Sequence, residues 1–240
     1  MKKLLSIAMV LGLAGAATAE DGELKDATEI LKKADAASKA VKSVKYNASA
    51  KARGDGPSQM PTTDGTVTLL WVGDDDASNK FRIAGKGTMP NSAEPIEFDM
   101  GGDGETFFLI DPANKIAYED IDPAVVGRAG RIGRSLIMRE YTHPNPFSDE
   151  INGDKQELQG VVRVGDHDCY KIHVVYENAA AEAIWYFSTK DFLPRRVERI
   201  FGNGGSDFIV TDLVIDPKIT DDTFKLVLPE GFTKSDDFAP

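Results

Sequence analysis

The most reactive side chains in the sequence lie in one stretch, His167, Asp168, Cys169 and His173. A thiol with an imidazole beside it is the minimum for nucleophilic catalysis, and the same set could ligate a metal. Their spacing argues against both. The flanking residues alternate as in a strand, so Cys169, Lys171 and His173 share a face, and four residues separate sulfur from imidazole by about 13 Å at ~3.3 Å per residue. Residues 166–168, Asp-His-Asp, read as a hairpin turn. His143 has no second imidazole or thiol near it in the chain and can at most cap a helix end. Gly127, Gly130 and Gly133 follow no strand and lack the lysine of a phosphate-binding loop. Asp74, Asp75 and Asp76 form a solvated turn without the spaced ligands of a dedicated calcium loop. With 39 acidic residues in the chain, carboxylate pairs single out no hydrolase. The expectation is a protein that is not an enzyme and uses neither cofactor nor metal.

The remaining chemistry is apolar. Tyr46, Leu69, Trp71, Phe81, Ile83, Phe98, Phe108, Trp185 and Phe208 occupy alternating positions in strand-like segments. Any one of them is ordinary core; collectively they are candidates to line a ligand cavity. A second set lies in residues 122–141, DPAVVGRAGRIGRSLIMREY, between two β-rich halves. Ile132, Leu136, Ile137 and Met138 give this stretch an apolar side. Arg128, Arg131, Arg134 and Arg139 make it basic, with no acid between Asp122 and Glu140. Asp122 suits an N-cap and Pro123 the first helical position. The three glycines each cost roughly 1 kcal/mol against alanine in a helix, so a helix or helical loop here depends on an apolar surface beneath it. It is either a movable lid over a cavity or a connector whose arginines face solvent.

The flanking elements are those of a β protein with few helices. Asp26 and Glu29 fit a capping box, and Ala27, Ile30, Ala34, Ala37 and Val41 recur at helical spacing, which predicts a helix over 27–41. Strict alternation follows, with Val44, Tyr46, Ala48, Ala50 and Ala52 on one side. Further strands are expected at 66–72, 80–84, 95–100, 106–110 and 115–118, then at 158–164, 168–176, 182–188, 195–201, 208–215 and 224–227. Turn residues separate them, including 85–87, Gly-Lys-Gly, and 101–104, Gly-Gly-Asp-Gly. Such spacing without intervening helices implies antiparallel hairpins. The expected fold is mainly β with α, a large curved antiparallel sheet or unclosed β-barrel covered by an N-terminal helix and the central lid helix. A sandwich fits the same strand count; the wide apolar face, with only two helices to cover it, favours the curved sheet.

Residues 1–19 read as a signal peptide: Lys2 and Lys3, an apolar run over 4–14, and Ala17-Thr18-Ala19 as cleavage site. The apolar run is too short for a transmembrane anchor, which takes about 20 residues. The expected product is a single domain over 20–240, periplasmic or secreted and monomeric. Its 28 basic against 39 acidic residues give a net charge of −11, more negative still without Lys2 and Lys3. That balance argues against nucleic acid and anionic membrane surfaces. Cys169 is the only cysteine, which excludes an intramolecular disulfide.

Several segments in this order resemble the LolA/LolB-like superfamily of bacterial lipoprotein carriers. They are residues 40–46, AVKSVKY; 69–72, LLWV; 103–112, DGETFFLIDP, followed by 115–118, KIAY; and 221–232, DDTFKLVLPEGF. Residues 164–172, VGDHDCYKI, and 190–195, KDFLPR, are more similar to uncharacterised LolA-like relatives than to the carriers proper. The resemblance implies an unclosed barrel with an apolar interior for acyl chains, and helices that move as a lid. On it, Tyr46, Leu69, Trp71, Phe81, Phe98, Phe108, Trp185 and Phe208 line the cavity, and Ile132, Leu136, Ile137 and Met138 meet ligand from the lid. Arg128, Arg131 and Arg134 serve an anionic headgroup or a lid latch. Carriers proper have an Arg-Pro step soon after the Trp strand, whereas residues 73–77 here are GDDDA. Lipoprotein sorting is therefore not implied, and a latch must use other groups. The function expected is binding or carriage of a lipid acyl chain, a lipoprotein or another hydrophobic ligand. The alternative is an envelope sensor or protein-interaction module on the same fold.

Overall fold

The computed structural model describes residues 24–54, 60–71, 79–90, 92–177 and 181–235. The leader and residues 73–77 lie outside the described residues. Helix α1 (Ala27–Ala40) opens on Asp26, whose side chain accepts a hydrogen bond from Glu29 N–H. It buries Ile30, Leu31, Ala34 and Ser38. Strand β1 (Ser43–Gly54) buries Val44, Tyr46, Ala48 and Ala50 and exposes Lys45, Asn47 and Lys51, as its alternation predicts.

All strands among the described residues belong to one sheet, and β1 sits at its middle. On one side lies a meander of β2 (Thr62–Leu70), β3 (Lys80–Thr88), β4 (Ile96–Gly102), β5 (Phe107–Asp111) and β6 (Ile116–Asp120). On the other side β11 (Gly204–Ile215) pairs with β1, followed outward by β10 (Pro194–Phe201), β9 (Ala181–Ser188), β8 (His167–Val175) and β7 (Lys155–Val164). The short strand β12 (Thr233–Ser235) adds to β6 in parallel; every other pairing is antiparallel. The outer strands β12 and β7 stand at opposite ends of the order, so the sheet is an unclosed barrel. The chain must therefore travel from β6, next to one edge, to β7 at the other. It does so across the inner face, as helix α2 (Gly127–Arg134) and the short helix α3 (Ser148–Ile151), with 3₁₀ turns at Pro123–Val126 and Arg139–Tyr141.

The inner face carries the main core, which includes α1, the β1–β4 residues Tyr46, Leu69, Ile83 and Met100, and Trp185 with Phe187. A second cluster lies on the outer face: Phe108, Ile110 and Ala117, covered by Leu226 and Phe232. Arg82 pins the covering segment, forking to Asp99 at 3.0 and 2.7 Å and donating to the carbonyl of Thr223 at 3.2 Å.

Three expectations are corrected. Residues 224–227 form no strand: Phe224 ends a 3₁₀ turn (Asp221–Phe224), and its alternating pattern serves to dock Leu226 on the outer cluster. Gly85, Gly87, Gly101 and Gly102 lie inside β3 and β4 rather than in turns. Trp71 lies just past the end of β2, half-buried, its N–H donating to the carbonyl of Lys42.

Candidate functional site

Asp122 starts the crossing segment as an N-cap, accepting from Ala124 N–H at 2.8 Å, with Pro123 at the first position. Gly127, at φ +46°, then turns the chain into α2. The apolar side of α2 is fully committed to the sheet: Ala129 and Ile132, then Leu136 and Met138 beyond it, are buried. They lie on a floor without side chains. Gly65 pairs with Gly85 across β2 and β3, flanked by Ala48 and Phe98. A β-carbon on Gly65 would stand 2.9 Å from Leu136 Cδ1, and one on Gly87 would overlap Ile132 Cγ2. From the lid side, one on Gly133 would overlap Met100 Cε.

A buried tyrosine fixes the segment. The Tyr46 hydroxyl donates to the carbonyl of Leu136 at 3.0 Å and accepts from Met138 N–H at 2.9 Å. Burial pushes its pKa well up, so the proton it donates is retained. Ser135 Oγ lies 3.1 Å from Thr63 Oγ1. Further along, the Tyr141 hydroxyl donates to the carbonyl of Pro194 at 2.8 Å, and Arg199 reaches Glu140 at 3.1 Å. Hydroxyls and one ion pair thus tie the crossing segment to the sheet.

Two recesses flank the crossing segment. One, of about 470 Å³, has Phe81, Met100 and Phe107 on the sheet side and Pro123, Ala124, Val126 and Ile137 on the crossing segment, with Asp122 and Arg134 as its charged members. The Phe81 and Phe107 rings stand 6.2 Å apart on its wall. The other, of about 260 Å³, is lined by Arg134, Arg139, Arg199, Ser135, Ser206, Met60, Ile137 and Phe208, among others. Arg134 and Ile137 line both. A shallow groove of about 680 Å³ on the outer face has a mixed lining, and polar groups along it already pair within the sheet: Thr66 donates to Asn47, and Asn47 to Asp212, each at 2.8 Å.

The residues singled out from the sequence fall into distinct places. Phe81, Ile137 and Arg134 border the apolar recess, and Phe208 the basic one. Tyr46, Leu69, Phe98, Ile132, Leu136 and Met138 belong to the main core that joins lid and sheet. Trp185 is on the inner face but packed, stacked on Phe187 at 5.8 Å and edge-on to Phe147 at 5.1 Å. Phe108 points to the outer face, away from the lid. Arg131 is exposed, and the side chain of Arg128 lies outside the described residues. Met100, Phe107, Val126 and Arg199 were not anticipated as lining residues. Phe107 could not be chosen over Phe108 because FFLID is apolar on both faces, and a one-residue difference in register exchanges them.

The reactive residues do not converge. Cys169 is buried, which pushes its thiol up to about 11. His173 pairs with Glu182 at 2.6 Å, and His143 Nδ1 accepts from Asn145 N–H. Behind the lid, Glu150 accepts from the Tyr176 hydroxyl at 2.7 Å, and burial raises its carboxyl to about 7. Burial also raises Glu140, against the pull of Arg199. Among the described residues no three potential metal ligands form a group, and no helix is long and apolar enough to cross a membrane.

One antiparallel sheet curled about a helical segment that lies across its inner face is a LolA-like fold. The crystal structure of LprF from Mycobacterium bovis matches it with a TM-score of 0.54 and 11% identity, over 86% of this chain and 97% of that one. Lipoprotein LppX from Mycobacterium tuberculosis gives 0.49 and 11% identity, over 81% and 97%. The LolA superfamily protein NE2245 from Nitrosomonas europaea gives 0.33 and 12%, over 85% and 99%. At these identities the likeness is one of fold. No family model matches the chain, and no curated protein matches it.

Proposed function

We propose that the protein is an exported, non-catalytic binding protein that holds an acyl chain, a lipoprotein's lipid or another hydrophobic ligand between lid and sheet. The apolar recess of about 470 Å³ carries this reading, because it lies at the seam where lid meets sheet and opens further if the lid lifts. Its size falls within the ~300–1,000 Å³ of small-molecule sites. Roughly ten buried methylenes would gain about 8 kcal/mol at ~0.8 kcal/mol each, before association costs of about 4 kcal/mol or more. Residues 1–19 would leave as a signal peptide, with residues 20–240 released to the periplasm or beyond as a single-domain monomer.

The test is native mass spectrometry of the mature chain purified gently from an exporting bacterial host, beside Ile137→Asp at the recess wall. Adducts of lipid mass that organic extraction removes, and that the variant loses while keeping its circular dichroism, are expected. An unliganded mass that persists after incubation with fatty acids would refute the carrier reading. A stoichiometric protein partner in place of lipid would establish the interaction module instead.

A further inference from the structure

In this acidic chain most described guanidinium groups are matched by carboxylates: Arg82 by Asp99, Arg163 by Asp168, Arg195 by Asp191, and Arg196 by Asp207. Arg131, Arg134 and Arg139 are exceptions, with no ion pair among the described residues. Of these, Arg134 and Arg139 are exposed yet lie together. Both line the smaller recess, where Arg199 joins them from β10 and Ser135 and Ser206 complete the polar wall; among the described residues no carboxylate lines it. Glu140 holds Arg199 at 3.1 Å through Oε1 while its buried Oε2 has no partner, so this anion lies beside the recess without filling it. Converging guanidinium groups recognise planar or tetrahedral oxyanions through paired N–H donors.

The location of this recess specifies more than charge. Arg134 and Ile137 line it and the apolar recess alike, so the two meet across the end of the lid. We infer that the Arg134–Arg139–Arg199 recess binds the phosphate headgroup of an amphiphile whose apolar part occupies the adjoining recess. This rests on the carrier reading and narrows its ligand to anionic amphiphiles. It also gives the lid a second role, because Arg134 and Arg139 ride on the moving segment while Arg199 is fixed in the sheet. A headgroup bridging them holds the lid shut over its own tail.

The structure supplies a reporter, since the Arg199 guanidinium lies 5.5 Å from the Trp185 ring centre. With Trp71→Phe as background, Trp185 emission follows titration of the mature chain with inorganic phosphate, dihexanoyl phosphatidic acid and dihexanoylglycerol, the lipids below their micellar concentrations. Phosphatidic acid should bind more tightly than the neutral lipid, more weakly at high salt, and with roughly tenfold or greater loss in Arg134→Gln or Arg139→Gln. The neutral lipid should be indifferent to both variants. Equal binding of the two lipids, unaffected by either variant, would overturn the anion site and leave the carrier reading standing. Phosphate binding with the same arginine dependence, with neither lipid bound, would overturn the amphiphile assignment together with the carrier reading. Arg139→Lys, which keeps the charge but loses the fork, should fall between wild type and Arg139→Gln.

Discussion

Tyr46→Phe removes one oxygen and isolates the latch. That hydroxyl is the hydrogen-bond partner of the Leu136 carbonyl and the Met138 amide, at 3.0 and 2.9 Å, in a site where all three residues are buried. Phenylalanine keeps the ring and its edge-on contact with Tyr141 at 5.7 Å between centroids. What is lost is the satisfaction of two buried backbone groups, each worth about 1–3 kcal/mol when left without a partner. The closed lid should therefore weaken by on the order of 3 kcal/mol, about two decades in the closed-to-open ratio. Hydrogen exchange followed by mass spectrometry reads this locally. Peptides covering 130–140 should exchange about a hundredfold faster, whereas peptides from β8 and β9, which are not neighbours of β1 in the sheet, should change much less. Ligand uptake should accelerate in parallel. If peptides across the lid and those two strands accelerate by one common factor, the lid opens only when the whole domain unfolds, and gating is refuted. If 130–140 are unchanged, Tyr46 is not the latch.

Two further perturbations probe the same seam. Gly87→Ala places a methyl against Ile132 Cγ2 and should cost about 1–3 kcal/mol of stability by overpacking; thermal unfolding should show the loss, and a polarity-sensitive dye should show increased exposure of the inner face. Glu150 tests pH. Its folded-state pKa of about 7 lies above the ordinary 4.5, so the folded protein keeps a proton that the unfolded chain releases. The associated stability is full below about pH 4.5 and is lost as pH rises through about 7, a loss on the order of 3 kcal/mol. Urea titrations between pH 5 and 8 should show the stability difference shifting in favour of Glu150→Gln as pH rises; a difference that stays constant or shifts in favour of wild type would contradict the assignment.

Much of the architecture is legible in the sequence because its signals are local. The Asp26 cap, the alternation from Val44 to Ala50 and the Asp122-Pro123 start each depend on neighbours in the chain. What escaped depends on which surface a segment meets. Residues 224–227 alternate like a strand, but the partner of that pattern is an apolar patch on the outer face of β5 and β6, which no local rule reveals. Phe107 and Phe108 are chemically identical, and only the register of β5 sends one to the lid and the other to the C-terminal segment. Arg199, sixty residues beyond Arg139, enters the basic recess through the pairing of β10, which places a sheet residue beneath the lid.

The glycines show the same dependence on context. In isolation Gly85 and Gly87 signal a turn and Gly130 and Gly133 a weak helix, and the second inference is sound as a statement about intrinsic preference. The structure gives both pairs a further use. Side chains at Gly65, Gly87 and Gly133 would hold the lid off the sheet, and one at Gly130 would collide with Val126. The absence of β-carbons lets backbone approach backbone closely enough for Ile132 and Leu136 to be fully buried. Once that contact is broken, the same glycines leave α2 little reason to remain a helix, because roughly 3 kcal/mol of propensity is missing from its eight residues. Lifting and loosening are thus coupled: the segment is ordered by the surface it covers. On the carrier reading such a segment needs no hinge to open, and its closed state would be set by the Tyr46 hydrogen bonds and, in our proposal, by the anion that Arg134 and Arg139 share with Arg199.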